Sequence, residues 1–145
     1  MMNELADLNA KLVKIFNDVR WVEERDLSKS SFADLSLRDM HTIEAISLDE
    51  NQTVSQVAHT MCLSPGSMTK IIDKLVAHLY VTRMPSKTDR RITHLGLTEK
   101  GHAIFLEHLN FHQRMVQALT SDMNDHEIDA MLQGIANVQK FLNRK

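Results

Sequence analysis

The sequence predicts a mainly α-helical fold of six helices, with one small two-stranded β wing after the fourth helix. Apolar residues recur every three or four positions over most of the 145 residues, as they do on one face of a helix. Alternation of apolar and polar residues replaces this period over 80–84 and 92–97, where β-branched residues are frequent. Ser64-Pro65, an N-cap residue before a proline, marks the start of the helix that precedes the alternating pattern.

Composition bounds the class of protein. The chain is 43% hydrophobic and 25% charged, as in ordinary globular domains, and one domain spanning 1–145 is expected. No apolar run is long enough for a membrane span, and the first residues lack the apolar core of a signal peptide. The single cysteine, Cys62, cannot form an internal disulfide. We therefore expect a cytoplasmic protein.

The first and last helices carry narrow apolar seams. Apolar residues are spaced by alternating steps of three and four at Leu5, Leu8, Leu12, Ile15, Val19 and Val22, and again at Ile128, Met131, Ile135, Val138 and Leu142. Asn124 with Glu127 predicts a capping box at the start of the last helix. Such seams are typical of helices that interleave with a second chain, and packing within one chain is the alternative. We interpret 1–35 and 102–145 as dimerisation helices.

The middle of the chain holds three shorter helices and the wing. After a polar break at 28–35, Ser36 and Asp39 predict a cap on a helix that ends near Leu48, and 49–52 read as a turn. Thr53 and Gln56 form a capping-box pattern on a short helix. The helix opened by Ser64-Pro65 runs to about residue 78. Two helices joined by a tight turn and followed by a hairpin match the plan of a winged helix-turn-helix over 36–101, whose second helix enters the DNA major groove.

Charge supports a polyanion-binding face in this region. Residues 64–101 contain seven Lys or Arg against three acids, whereas 1–63 contain six against eleven. The small and polar residues expected in the major groove are Ser64, Gly66, Ser67, Thr69 and Lys70. Those expected at phosphates are Lys74, Arg83 and Lys87. Arg90 and Arg91, at the hairpin tip, are predicted to enter the minor groove, with Asp89 pairing with an arginine to support the wing. An ordinary solvated turn is the alternative for this tip.

The run 53–101 resembles the winged helix of the MarR family of bacterial regulators. The resemblance rests on LSPGSMTKIIDKL and on a wing pattern that falls on Asp89, Arg91, Leu97, Thr98 and Gly101. It extends over nearly the whole chain. The family implies a homodimer in which each subunit places one recognition helix and one wing on half of a palindromic operator.

Segments 16–24, 36–46 and 123–142 are similar to one MarR subgroup, the FabT-type repressors of fatty-acid synthesis genes. This resemblance implies long-chain acyl groups on acyl carrier protein as corepressor. The expected effector cleft lies between the linker, the second helix and the fifth helix, and is lined by Val22, Met40, His41, Ile43, Phe105, Leu109 and His112. The nine methionines either give this cleft an adaptable apolar wall or only fill core.

A metal-responsive regulator is the alternative. His108 and His112 are four residues apart on one helix, a spacing that lets two imidazoles share a metal. With Glu24 and His41 they resemble the zinc site of the zinc-uptake repressors in the same family, so zinc is the alternative cofactor. In the simpler interpretation His108 and His112 are polar residues lining a groove between helices, and His41 is a hydrogen-bonded core histidine.

Two positions depart from the family pattern. Leu79 stands where a glycine usually ends the recognition helix in the left-handed conformation, so we expect that helix to end differently. Cys62 stands at a turn position that is often glycine. We expect a buried structural cysteine there; a redox sensor is the alternative.

Enzymatic functions find little support, because G-x-S-x-G, P-loop and dinucleotide-binding patterns are all absent. A helical interaction module that does not bind DNA is a third, remote alternative.

Overall fold

The computed structural model describes residues 1–47 and 51–143. Within them the elements are α1 (Met2–Lys29), α2 (Leu37–Ser47), α3 (Val54–Thr60), α4 (Pro65–Ala77), β1 (Val81–Pro85), β2 (Thr93–Leu97), α5 (Glu99–Thr120) and α6 (Asp125–Leu142). The predicted fold class is confirmed. The expected end of the second helix near Leu48 and the residues 49–50 of the predicted turn lie outside the described residues. None of the described helices is long and apolar enough to cross a membrane.

The helix starts follow the capping signals in the sequence. Thr53 with Gln56 and Asn124 with Glu127 both form capping boxes, with side chain and backbone bonded in each direction. At α2, the Ser36 N–H donates to the Asp39 carboxylate at 2.8 Å, and the Asp39 N–H donates to the Ser36 hydroxyl. Each cap satisfies backbone N–H groups that have no partner inside the helix.

The chain forms two compact units, Met1–Leu106 and Glu107–Lys145. The first contains a hydrophobic core to which α2, α3, α4 and the wing all contribute. Met68, Ile72 and Leu75, on the inner face of α4, are fully buried. This spacing of four and three residues is the helical period that the sequence shows, and it leaves the opposite face of α4 to solvent.

The wing is a two-stranded antiparallel sheet that is fastened to α2. Val81 pairs with Leu97 and Pro85 with Thr93. The backbone of Gln52 accepts a hydrogen bond from the Leu95 N–H at 2.8 Å, and its side-chain amide donates to the Ala45 carbonyl at 2.6 Å. Gln52 is buried, so these bonds tie the base of the wing to the end of α2.

The end of α4 corrects one expectation. Leu79 adopts the left-handed conformation with φ 65°, so the helix ends in the way that the family's glycine would end it. The Tyr80 N–H donates to the Leu75 carbonyl at 2.8 Å, as in a Schellman motif. Tyr80 is fully buried and Leu79 is 69% exposed. Burial of Tyr80 offsets the strain at Leu79, which costs about 1–2 kcal/mol.

The start of α5 is locked onto this junction. The Thr98 hydroxyl donates to the Leu79 carbonyl at 2.6 Å and accepts from the Gly101 N–H at 3.0 Å. A Cβ at Gly101 would lie 2.2 Å from the Tyr80 carbonyl oxygen, so only glycine allows this approach. The Leu-Thr-x-x-Gly pattern thus has a mechanical role in joining α5 to the end of α4.

The apolar seams of the terminal helices are exposed within the chain. On α1, Leu5 is 64% and Ile15 51% exposed. In the second unit, α6 has no buried residue among those described, and Val138 is 48% exposed. Apolar side chains left uncovered at heptad spacing favour contact with another chain.

Candidate nucleic-acid interface

The exposed start of α4 presents small and polar side chains. Ser64 caps the helix by accepting from the Ser67 N–H, and the two hydroxyls are 2.9 Å apart. The Thr69 hydroxyl donates to the Pro65 carbonyl, which leaves its oxygen able to accept another bond. All the residues that the sequence assigned to the major groove are exposed here, namely Ser64, Gly66, Ser67, Thr69 and Lys70.

Gly66 in this surface is not required by the fold. A Cβ at this position would meet no described atom within 4 Å, in contrast to Gly101. Its backbone conformation is ordinary, because none of the glycines, all of them in the described ranges, has a positive φ. Close approach of another molecule to the backbone is a physical reason for keeping it.

The six predicted DNA-contacting cations divide into two groups. Lys70, Lys87, Arg90 and Arg91 are exposed, and their side chains make no hydrogen bond or ion pair within the described part of the chain. Each therefore has its full charge available to a phosphate or a groove.

Lys74 and Arg83, in contrast, are held by carboxylates. The Lys74 ammonium donates to Asp39, whose side chain is only 5% exposed. Arg83, on β1, bonds to Asp73 of α4 at 2.5 Å. The sequence did not indicate either pair, because the partners are 35 and 10 residues apart. Lys74 in particular has an intramolecular role that phosphate binding does not explain.

Asp89 shapes the wing tip through the backbone. Its carboxylate accepts from the Arg91 N–H at 2.9 Å, and its carbonyl accepts from the Ile92 N–H at 3.0 Å. Among the described residues it makes no ion pair with Arg90 or Arg91, contrary to the predicted pairing. The support that we expected from Asp89 is therefore present, but as an Asx-type turn. Both arginine side chains remain available to a partner outside the chain.

The residues expected to line an effector cleft differ in exposure. Met40 and Ile43 are buried in the core of the first unit, where they pack rather than face a cleft. Val22, His41 and Phe105 of the same unit are half-buried. In the second unit, Leu109 is exposed and His112 half-buried.

The first unit also contains an open cavity of about 330 Å³ behind the wing. It is lined by Ile46 and Ser47 at the end of α2, by side chains of both wing strands, and by Phe105 of α5. Phe105 is the one residue of the predicted cleft that lines it.

The three histidines predicted to bind metal lie in two close contacts, one with an acid and one between two histidines. In the first unit, His41 Nε2 lies 3.7 Å from a carboxylate oxygen of Glu23, whose side chain is 6% exposed. Glu24, the acid that the sequence favoured, instead bonds to Arg20 at 3.0 Å on the exposed side of α1. In the second unit, the Nε2 atoms of His108 and His112 are 3.1 Å apart. Each pair brings together groups that ligate zinc.

Cys62 is exposed, which corrects the expectation of a buried structural cysteine. It has φ 54°, in the left-handed region. The turn between α3 and α4 thus places a strained cysteine where glycine would fit without cost. Its side chain is exposed to solvent and does not pack in the core.

Sequence reasoning also missed a polar cluster at the end of α4. The Asp34 carboxylate lies 2.8 Å from His78 Nδ1 and accepts from the Tyr80 hydroxyl at 2.7 Å. The hydrogen bond to His78 holds the pKa of Asp34 below its usual value, and burial together with Asp34 raises the pKa of Tyr80. No periodic signal links residue 34 to 78, so only the tertiary structure could reveal this cluster.

Comparison with known proteins finds similar transcriptional regulators. Residues 35–93 match the model of the MarR family. The uncharacterised HTH-type transcriptional regulator YpoP of Bacillus subtilis is 30% identical over 76% of this chain and 72% of its own. FabT of Streptococcus pneumoniae, solved in complex with DNA, is 37% identical, with 96% of this chain and 97% of that chain covered and a TM-score of 0.88.

A more distant structure shows the fold alone. A mutant of MepR from S. aureus is 16% identical, covers 92% of this chain and 97% of its own, and has a TM-score of 0.71. The curated relatives are transcriptional regulators and not enzymes. With the exposed start of α4, the free cations of the wing and these similarities together, the chain belongs to the MarR family of DNA-binding transcriptional regulators.

Proposed function

We propose that this regulator is a homodimeric repressor of fatty-acid synthesis genes, for which long-chain acyl groups on acyl carrier protein act as corepressor. The observation that carries the proposal is the likeness to FabT over 96% of the chain. The resemblance of 16–24, 36–46 and 123–142 to the FabT-type subgroup is part of the same likeness. A cytoplasmic location follows from this role.

The proposed DNA contacts are made by the exposed hydroxyl and cationic side chains of α4 and the wing. Lys70 and the N-terminal hydroxyls of α4 approach the major groove, where backbone N–H groups at the helix start add attraction for phosphate. Lys87 holds a phosphate, and Arg90 or Arg91 enters the minor groove beside it. Arg83 contributes less, since Asp73 neutralises part of its charge.

The proposed dimer covers the two exposed seams. The α6 helix buries no described residue in its own chain, and its apolar positions recur at heptad spacing. A two-fold axis through paired terminal helices would present two α4 helices to a palindromic operator.

Fluorescence anisotropy on a duplex from a fatty-acid-synthesis promoter tests the proposal. EDTA is present throughout, a random duplex of equal length is the control, and acyl carrier protein with a long acyl chain is titrated in. We expect tighter binding to the promoter duplex on titration. Equal binding to both duplexes would contradict the repressor role, and loss of all salt-dependent binding would favour a helical module that does not bind DNA.

A zinc-responsive repressor is the second candidate function. It is favoured by the 3.1 Å approach of His108 and His112 and by the pairing of His41 with Glu23. Zinc would require neutral imidazoles and would release protons on binding. In the same assay, no response to acyl carrier protein combined with DNA binding that requires zinc would replace the first proposal by the second.

The matched variant for that assay is His112→Gln. It removes one imidazole at a half-buried position. If zinc is the effector, this variant should lose the zinc response while retaining the dimer. An unchanged zinc response would exclude His112 as a ligand.

A further inference from the structure

Two acids outside the DNA interface hold the C-terminal half of α4. Asp34 lies in the linker between α1 and α2, and Asp39 lies in the first turn of α2. Their partners, Lys74 and His78, are four residues apart and so lie one above the other on α4. We infer that Asp34 and Asp39 form an acidic brace that positions α4 for DNA binding, an inference that rests on the proposed role of α4 as recognition helix.

The Asp34 arm of the brace is bidentate. One carboxylate oxygen lies 2.8 Å from His78 Nδ1, and the other accepts from the Tyr80 hydroxyl at 2.7 Å. His78 is the C-cap of α4, and Tyr80 is the buried residue that follows the strained Leu79. Asp34 therefore bonds to the residues on either side of Leu79, where α4 ends and the chain continues into β1.

The Asp39 arm is nearly buried. One oxygen of its carboxylate accepts from both the Lys74 ammonium and the Ser36 N–H. The same acid thus caps α2 and anchors α4. A buried carboxylate is strongly disfavoured without such partners. The pair of Lys74 with Asp39 therefore fixes the position of α4 relative to the start of α2.

Lys100, from the first turn of α5, completes the cluster on the other side. Its ammonium donates to the His78 carbonyl at 3.2 Å and lies 4.2 Å from the centre of the Tyr80 ring. The end of α4 is consequently enclosed by the linker, by β1 and by α5. A shift of the linker that moves Asp34 changes the direction in which α4 points.

Charge makes the role of the brace distinguishable from direct DNA contact. A carboxylate repels phosphate, so removal of a negative charge should by itself tighten DNA binding. Loss of a positioning contact should weaken binding to the preferred sequence and leave non-specific binding unchanged. The two effects have opposite signs for Asp34→Asn.

The test compares Asp34→Asn with Asp26→Asn. Asp26 is an exposed carboxylate bonded to its neighbour Arg25, so its substitution removes the same charge without touching α4. Affinity is measured by anisotropy on a duplex that the wild-type protein prefers and on a random duplex of the same length, with the melting temperature recorded. For Asp34→Asn we expect the ratio of the two affinities to fall about tenfold, and for Asp26→Asn no fall.

Asp34→Glu and Tyr80→Phe sharpen the result. The glutamate keeps the charge and should restore part of the ratio, whereas asparagine should not. Tyr80→Phe keeps the buried ring and removes one bond to Asp34, so it decides the question if Asp34→Asn does not fold. An unchanged ratio of preferred to random duplex affinity in a folded Asp34→Asn protein overturns the inference. If Asp34→Asn does not fold, an unchanged ratio in Tyr80→Phe overturns it.

Lys70→Ala separates this failure from failure of the proposed interface. Lys70 lies at the exposed start of α4 and makes no bond that supports the fold in the described residues. If Lys70→Ala weakens binding and Asp34→Asn behaves like Asp26→Asn, the interface stands and the brace does not. If Lys70→Ala also has no effect, the assignment of α4 as the recognition helix is itself wrong.

Discussion

The winged helix-turn-helix region and the helix α6 differ in which side chains they bury and which they expose. In the first, Met68, Ile72 and Leu75 of α4 are fully buried. The exposed side chains at the start of α4 and at the wing tip are mainly small, polar or basic. In α6 no described residue is buried, and the exposed surface includes Ile135 and Val138 at heptad spacing. The first region buries most of its apolar residues within the chain and presents charge, whereas the second presents mainly apolar surface.

The difference indicates what each surface recognises. A basic surface with free arginine and lysine side chains is suited to a polyanion, whose binding weakens with salt. An apolar helix seam is suited to another helix, and such contact depends on area removed from water. Variants in the first region should therefore change folding or DNA affinity without changing subunit association. Variants in the second region should change subunit association, and DNA affinity only through it.

Gly101→Ala should have the largest effect on the first region. A Cβ would lie 2.2 Å from the Tyr80 carbonyl oxygen, and the neighbour is backbone that cannot rotate away. We expect a loss of about 3 kcal/mol in the free energy of unfolding. Urea denaturation measures this, with Gly134→Ala as control because a Cβ there meets no described atom within 4 Å. Equal stability of the two variants would contradict the close approach.

Ile135→Asp with Val138→Asp should disrupt the dimer contact of α6 without unfolding the winged helix-turn-helix region. Charges placed on a helix seam oppose its burial against a partner helix. We expect a shift from dimer to monomer in sedimentation velocity and a loss of operator affinity of about a hundredfold, since both half-sites must be held together. Gln133→Asp, on the same helix but off the seam, should leave the dimer intact. A monomeric wild-type protein would contradict the assignment of the α6 seam to a subunit contact.

Arg90→Ala with Arg91→Ala should weaken DNA binding and leave association unchanged. Neither side chain makes a hydrogen bond or ion pair within the described chain, so stability should be preserved. We expect about a tenfold loss of affinity and a salt slope smaller by about 1–2 per subunit. Lys11→Ala with Lys14→Ala removes the same charge from ion pairs on α1 and serves as control. Unchanged affinity at physiological salt would contradict the role of the wing.

Leu79→Gly should stabilise the first region. Glycine removes the strain of the left-handed conformation, worth about 1–2 kcal/mol, and adds an entropy cost of folding of about 0.5–1 kcal/mol. Leu79 is 69% exposed, so little packing is lost. The net expectation is a gain of roughly 0.5–1 kcal/mol in thermal or urea unfolding. Destabilisation would mean that the Leu79 side chain is covered, by a partner chain for example.

Asp34→Asn should have the smallest effect on stability, and that effect should depend on pH. The pKa of Asp34 is lowered in the folded protein by its bond to His78. The contribution of this group is therefore present at neutral pH and is lost as the pH falls below the unfolded value of about 3.9. We expect a deficit of less than about 1 kcal/mol at pH 7, because the pair is partly exposed, and a deficit that shrinks as the pH falls through the lowered pKa of Asp34. A deficit that persists in acid would implicate packing instead of charge.

The local features of this fold were predictable from short stretches of sequence. Both capping boxes, the Ser64-Pro65 start of α4 and the position of the wing follow from residues within a few positions of each other. The exposed members of the DNA surface were predictable for the same reason, since the helical period that buries Met68 and Ile72 exposes Thr69 and Lys70.

The partners of the charged residues were not predictable in this way. The sequence assigned Lys74 to phosphate, and nothing local marks Asp39, 35 residues away, as its partner. The Asx-type turn of Asp89 with the Arg91 N–H is local, but the ion pair that we predicted for Asp89 is not made within the described residues. The left-handed Leu79 was likewise missed, because residue preference disfavours it and only the burial of Tyr80 and the approach of Gly101 require it.

The sequence by itself determined the order of helices and strands, the basic middle of the chain and the apolar seams at its ends, because these depend on periodicity and composition. The tertiary structure alone decided which cations remain free for DNA, and it placed Asp34 and Asp39 against the end of α4. The physical reason is range: periodicity acts within one helix, whereas an ion pair between residues 39 and 74 exists only once the core has brought α2 and α4 together.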